Sequence, residues 1–198
     1  MVDNAENRKR WGKIHENRYG VSLVYFPNVE TLINIRGWLD GLNIMCDGIF
    51  TWYPVIHASV IRCRSKKEPF TVKYTNLLCC NSIKNIKKEK ISIIKPNIGT
   101  DGILRINFSG VKLKETTAIE KFYGGNELKY EIITAPWISL GLMNIENEKA
   151  AGYVKILEER FENGQFPRFE MIIDKLSVVY YSDILFKNHE VIKQINLI

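Results

Sequence analysis

Apolar and polar residues divide this chain into short strands and a few helices. Val21-Ser22-Leu23-Val24-Tyr25-Phe26 is an apolar run rich in strand formers and closed by Pro27, which predicts a first strand. Asn28 suits a helix N-cap. Val29, Leu32, Ile33, Arg36 and Leu39 follow at helical spacing, predicting a helix over residues 29–40 that Gly41 stops. Residues 49–63 read as one or two strands interrupted by Pro54, and Lys66-Lys67-Glu68-Pro69 as a turn. Phe70, Tyr74, Leu77 and Leu78 predict a second helix over residues 70–86, followed by a loop or hairpin around residues 91–94. Residues 102–109 alternate strictly, so one face of that strand carries Arg105, Asn107 and Ser109.

Tyr123-Gly124-Gly125-Asn126 reads as a turn and residues 137–143 as a strand. Asn147 is placed to cap a helix over residues 148–162, where Tyr153, Val154, Leu157 and Phe161 share a face and Asn163-Gly164 ends it. Residues 169–173 and 176–181 read as strands, and residues 191–198 as a last edge strand. The order of element types repeats in the two halves of the chain. This predicts an α+β protein of two similar lobes, each an antiparallel sheet with helices on its outer face, around a central cleft. Residues 1–19 form a polar N-terminal arm, expected to be mobile or loosely docked, and residues 20–198 a single bilobal domain.

Composition narrows the functional classes. At 198 residues and 45% apolar content the chain can bury a sizeable core. No apolar stretch reaches the ~20 residues needed to span a bilayer, and the polar start lacks the apolar segment of a signal peptide. The protein therefore reads as soluble and cytoplasmic, with no membrane partner. Cys46, Cys63, Cys79 and Cys80 show no ligand spacing, so no structural zinc site is expected, and they read as reduced thiols; no metal or other cofactor is expected for the chain. The net charge of +6 and the basic clusters around Arg8-Lys9-Arg10, Arg62-Arg64-Lys66-Lys67 and Lys84-Lys87-Lys88 favour an anionic partner.

The candidate chemistry lies on two strands. His57-Ala58-Ser59 ends the run Trp52-Tyr53-Pro54-Val55-Ile56, and strand alternation sends the imidazole and the hydroxyl to one side. Trp137-Ile138-Ser139-Leu140 is a partial echo, with an indole where the imidazole would be. Arg105 can fork onto phosphate oxygens or join an ion pair. Tyr25, Tyr53 and Tyr123 are candidate ligand contacts or substitute acids, and His15 and His189 are the other histidines able to supply a second imidazole.

With His57-Ala58-Ser59-Val60, Trp137-Ile138-Ser139-Leu140 and the late strand Leu176–Ser182, the chain resembles the 2H phosphoesterase superfamily, which includes RNA 2′,5′-ligase-like proteins and cyclic phosphodiesterases. The likeness in element order runs over residues 20–198. The family carries one His-x-Thr/Ser motif per lobe. Its two histidines face each other as general base and general acid on a phosphodiester or cyclic phosphate, and its two hydroxyls hold the phosphate without a metal. Carried over, the resemblance implies His57 as the surviving acid or base, with Ser59 and Ser139 on the phosphate. It implies a divergent phosphoesterase acting on a cyclic phosphate or on a short nucleotide or RNA end. The alternatives are a degenerate nucleotide- or RNA-binding protein in which Trp137 stacks on the ligand and Arg105 holds phosphate, or a member recruited to another reaction. No obligatory protein partner is inferred.

Overall fold

A run of strand-forming residues sets the middle of the molecule, and everything else is placed around it. In the computed structural model, residues 4–11, 17–65, 87–109, 130–133, 137–144, 146–168, 170–183 and 185–198 are described. Along the chain they form α1 (Asn4–Trp11), β1 (Asn17–Tyr25), α2 (Val29–Met45), β2 (Phe50–Trp52), β3 (Ala58–Ser65), β4 (Glu89–Ile98) and β5 (Ile103–Ser109). There follow β6 (Tyr130–Ile132), β7 (Trp137–Met143), α3 (Ala150–Glu162), β8 (Glu170–Ile173), β9 (Lys175–Asp183) and β10 (His189–Asn196). The expected turns at 66–69 and 123–126, the helix over 70–86, His15 and Tyr123 lie outside the described residues.

The protein is α+β, as the alternation of patterns predicts. The ten strands form one antiparallel sheet in the order β10-β9-β1-β3-β7-β5-β4-β8, with β2 added on β7 and β6 on β3. Four strands lie on each side of the junction between β3 and β7, and the residue pair that joins them there is Ala58 with Ile138.

One face of the sheet carries the main core. Leu23, Tyr25, Ala58, Ile138, Leu104 and Ile106 pack there against Ile35, Leu39 and Leu42 of α2 and against Leu157 and Phe161 of α3. The helix expected over 29–40 continues to Met45. Its cap is as expected: the Asn28 carboxamide oxygen accepts from the Thr31 N–H at 2.8 Å. Gly41 does not end it, because Leu42 is still on the buried face, and burying a leucine stabilises by ~1.5–3 kcal/mol against ~1 kcal/mol for a helical glycine. The stop comes at Asp47 and Gly48, whose φ values of 47° and 74° are left-handed. Asn28→Ala is expected to lower stability by about 1 kcal/mol in urea unfolding.

Three other elements differ from the sequence expectation for local reasons. Asn147 does not cap α3. Its side chain accepts from the Lys149 N–H at 2.9 Å, which makes a turn just before the helix and delays its start to Ala150. The hairpin expected around 91–94 is the ten-residue strand β4. Pro96 is tolerated in it because the β4–β5 register shifts between Ile93 and Pro96, and β8 pairs only residues 89–92. The N-terminal arm contains helix α1, and Asn7 is 1% exposed. Its amide donates to the carbonyls of Asp101 and Met143, both at 3.0 Å, so a polar residue docks this segment where no apolar pattern announces it.

Candidate anion site on the open face of the sheet

The site follows from register. Ala58 and Ile138 pair directly and both point into the helix-covered core. Alternation then sends the flanking His57, Ser59, Trp137 and Ser139 to the opposite face, with His57 across from Ser139 and Ser59 across from Trp137. On the neighbouring strand Arg105 pairs with Ser139 and Asn107 with Trp137, which adds both to this face. A bulge in β3, where the pairing steps from Leu23–Ile61 to Val24–Ser59, turns Arg62 to the same side. The two motifs that stand far apart in sequence thus meet at the centre of the sheet.

Trp137 is half-buried at the middle of this group. The Arg62 and Arg105 guanidiniums each lie 5.2 Å from its ring centroid, approaching from strands on either side of β7. Such contacts contribute ~0.5–1 kcal/mol each at partly exposed sites. The indole therefore orients two cations, and its ring faces are engaged by them. Of the two roles the sequence allowed Arg105, the ion pair is formed. Its Nη2 donates to Asp101 at 2.6 Å in an ion pair whose side chains are 17% and 3% exposed, while its Nε is buried without a hydrogen-bond partner. Arg62 stood only within a basic run in the sequence, and Asp101 drew no attention there, because neither signal names the face a residue will occupy.

His57 is 9% exposed, and Ser59 is buried beside it. The imidazole Nδ1 lies 3.1 Å from the Val55 carbonyl oxygen, which can only accept, so Nδ1 carries the proton and Nε2 keeps its lone pair. The Phe186 ring covers the imidazole at 4.0 Å, and Phe26 meets it edge-on at 6.3 Å. Burial pushes the His57 pKa down to about 4. The bond to Val55 opposes this, and the positive charges of Arg62 and His189 add to it. At neutral pH the ring is an uncharged acceptor.

Phe186 is presented by the loop after β9. Its φ of 58° is left-handed, a strained conformation for an aromatic residue. The Asp183 carboxylate holds the loop in that shape by accepting from the N–H groups of Leu185, Lys187 and Asn188 at 2.9, 3.0 and 2.7 Å. Phe186 stacks on Tyr181 at 4.1 Å, and its carbonyl accepts from His189 Nδ1 at 3.0 Å. His189 pairs with Tyr181 and so lies on the same face of the sheet as His57, with Phe186 between them. Leu185 packs with Tyr53, Ile103 and Leu142. Nothing in the sequence pattern marks this loop, since a lone Phe between strands reads as ordinary filler.

The two tyrosines expected at the ligand lie elsewhere. Tyr25 pairs with Ala58, points into the core behind the sheet and is 1% exposed. Facing the core, it does not reach a ligand on the other face; burial first, then the nearby Glu89 carboxylate, raises its pKa. Tyr53 is on the correct side but 5% exposed beneath Leu185. Two cavities lined by described residues, about 810 and 450 Å³, open away from the site: one beside the start of α2, the other between β4 and α3. Among the described residues no group of three or more His, Cys, Asp or Glu side chains is placed to hold a metal ion, and no helix is long and apolar enough to cross a membrane. No protein-family model and no curated protein matches the chain.

Proposed function

We propose that this protein binds a phosphate-bearing ligand, a nucleotide or an RNA end, on the face built by Ser59, Arg62, Arg105 and Ser139 around Trp137. The observation that carries this reading is the pair of guanidiniums brought to one indole, on the sheet face that also carries Ser59 and Ser139. The two guanidiniums concentrate positive charge around one ring, and that field favours an anion beside them. The half-buried Ser139 hydroxyl donates to a non-bridging oxygen, with Ser59 buried behind it, and the arginines supply charge and forked donors. What supports a divergent 2H phosphoesterase-like reading is that the two motifs meet at the centre of one antiparallel sheet, with an indole standing where a second histidine would be.

Binding without turnover is the form of the proposal that the electrostatics favour. Trp137 cannot exchange a proton at neutral pH, and a histidine with its pKa near 4 is not a proton donor there. A phosphoesterase reading, with His57 Nε2 as base and His189 as acid, rests on one observation: both imidazoles lie close enough for their charges to interact. Calorimetric titration with adenosine 2′,3′-cyclic phosphate, alongside a hydrolysis assay, separates the two. The expected result is saturable, salt-sensitive binding without hydrolysis, weakened on the order of tenfold by Arg62→Ala or Arg105→Ala. Hydrolysis that disappears in His57→Ala replaces the binding reading with the enzymatic one. Absence of any affinity overturns the phosphate reading itself.

A further inference from the structure

We propose that Asp101 is a positioning residue for this anion site, acting through Arg105, and that helix α1 is the element that fixes it there. The inference rests on the phosphate-binding reading above and concerns how the site is kept in shape. The cation–π contact alone holds Arg105 only weakly to the ring that it shares with Arg62. Like charges held to one ring repel, and an arginine side chain has several rotatable bonds. The Asp101 carboxylate counters both tendencies. It is 2% exposed, accepts from Arg105 Nη2 at 2.6 Å through Oδ2, and through Oδ1 accepts from the Ile103 N–H at 3.3 Å.

The turn that carries Asp101 is held from the other side by α1. The Asn7 amide donates to the Asp101 carbonyl and to the Met143 carbonyl, bridging the β4–β5 turn to the end of β7. Thr100 donates to the Glu6 carboxylate at 2.6 Å, and Arg8 pairs with Glu146 at 3.0 Å. Glycines make room for this packing. A Cβ on Gly99 would fall 1.8 Å from Arg105 Nη1, and one on Gly102 would fall 2.0 Å from the Asn7 amide nitrogen. Gly102 also has a left-handed φ of 76°. A connected path therefore runs from α1 through Asn7, Asp101 and Arg105 to Trp137, so the docking of α1 bears on the geometry of the anion site.

Asp101→Asn tests this because a positioning role and a plain charge effect predict opposite signs. The substitution keeps the shape, the Oδ1 acceptor and the backbone carbonyl that Asn7 grips, and it removes a negative charge near the site. If Asp101 only offsets charge, affinity for adenosine 2′,3′-cyclic phosphate rises. If it positions Arg105, affinity falls on the order of tenfold despite the more positive protein. In the ligand-free protein the Trp137 indole N–H resonance also shifts, as the guanidinium leaves the ring. Asn7→Ala, with Asp101 intact, gives a smaller loss of affinity and a shift of the same resonance in the same direction. Equal or tighter binding by Asp101→Asn, or an unmoved indole resonance, overturns the proposal. If the wild-type protein itself has no affinity, the phosphate reading falls, and the indole resonance still decides whether Asp101 holds Arg105 against Trp137.

Discussion

Stability falls by about 3 kcal/mol as the pH is lowered from 6.5 to 4, over and above the ordinary acid sensitivity of the carboxylates, and His57→Asn removes that extra loss. The imidazole is buried under Phe186, so its protonated form is disfavoured in the fold, and its pKa lies at about 4 against an ordinary 6.5. Between those two values the unfolded chain binds more protons than the folded one. Stability therefore rises with pH across this window, is fully present above about 6.5, and is lost as the pH drops through about 4. The charges facing the ring are those of Arg62 and His189, both of which act in the same direction as burial. Asparagine can donate to the Val55 carbonyl as the Nδ1–H does, so the variant isolates the titration from the loss of a bond. The difference between wild-type and variant urea midpoints at pH 7 and pH 4 gives the answer. Equal pH slopes would mean that the imidazole is not shielded.

Phe186→Ala lowers stability by about 3 kcal/mol and raises the His57 pKa toward its ordinary value. The ring is 7% exposed and packs on both Tyr181 and His57, so its removal leaves a gap that water can enter. The loop itself should keep its course, since Asp183 holds it through backbone N–H groups that the substitution does not touch. Because φ at this position is 58°, Phe186→Gly is expected to be at least as stable as Phe186→Ala, the reverse of the usual order. An NMR titration of the His57 ring nitrogens in each variant measures the pKa directly. Arg62 and His189 remain, so the rise stops short of complete recovery. A pKa that stays near 4 without the Phe186 ring would show that another group desolvates the imidazole.

Much of the secondary structure could be read from periodicity. The alternation over residues 103–109 placed Arg105 and Asn107 on one face, and the apolar runs of β1 and β7 gave strands. The two small motifs are visible as motifs, and alternation puts His57 and Ser59 on one side of their strand. What could not be read was which strands would be neighbours. The pairing of Ala58 with Ile138 converts two local patterns into one site, and it depends on strand order across the whole sheet. Tyr25 shows the same limit from the other direction. It stands close to His57 through the pairing with Ala58, yet it points to the other face. Asn7 and Asp101 were illegible because their partners are backbone carbonyls and a guanidinium from distant segments.

The sequence by itself determined the α+β class, the positions of most strands and of the two helices that cover the core, and the basic character that favours an anion. These follow from side-chain periodicity and composition, which act over a few residues at a time. Only the tertiary structure decided that Arg62 and Arg105 flank one indole, that Phe186 shields the imidazole, and that α1 reaches the site through Asp101. Those contacts join residues remote in the chain, and strand order and a bulge, rather than local propensity, set which side chains share a face.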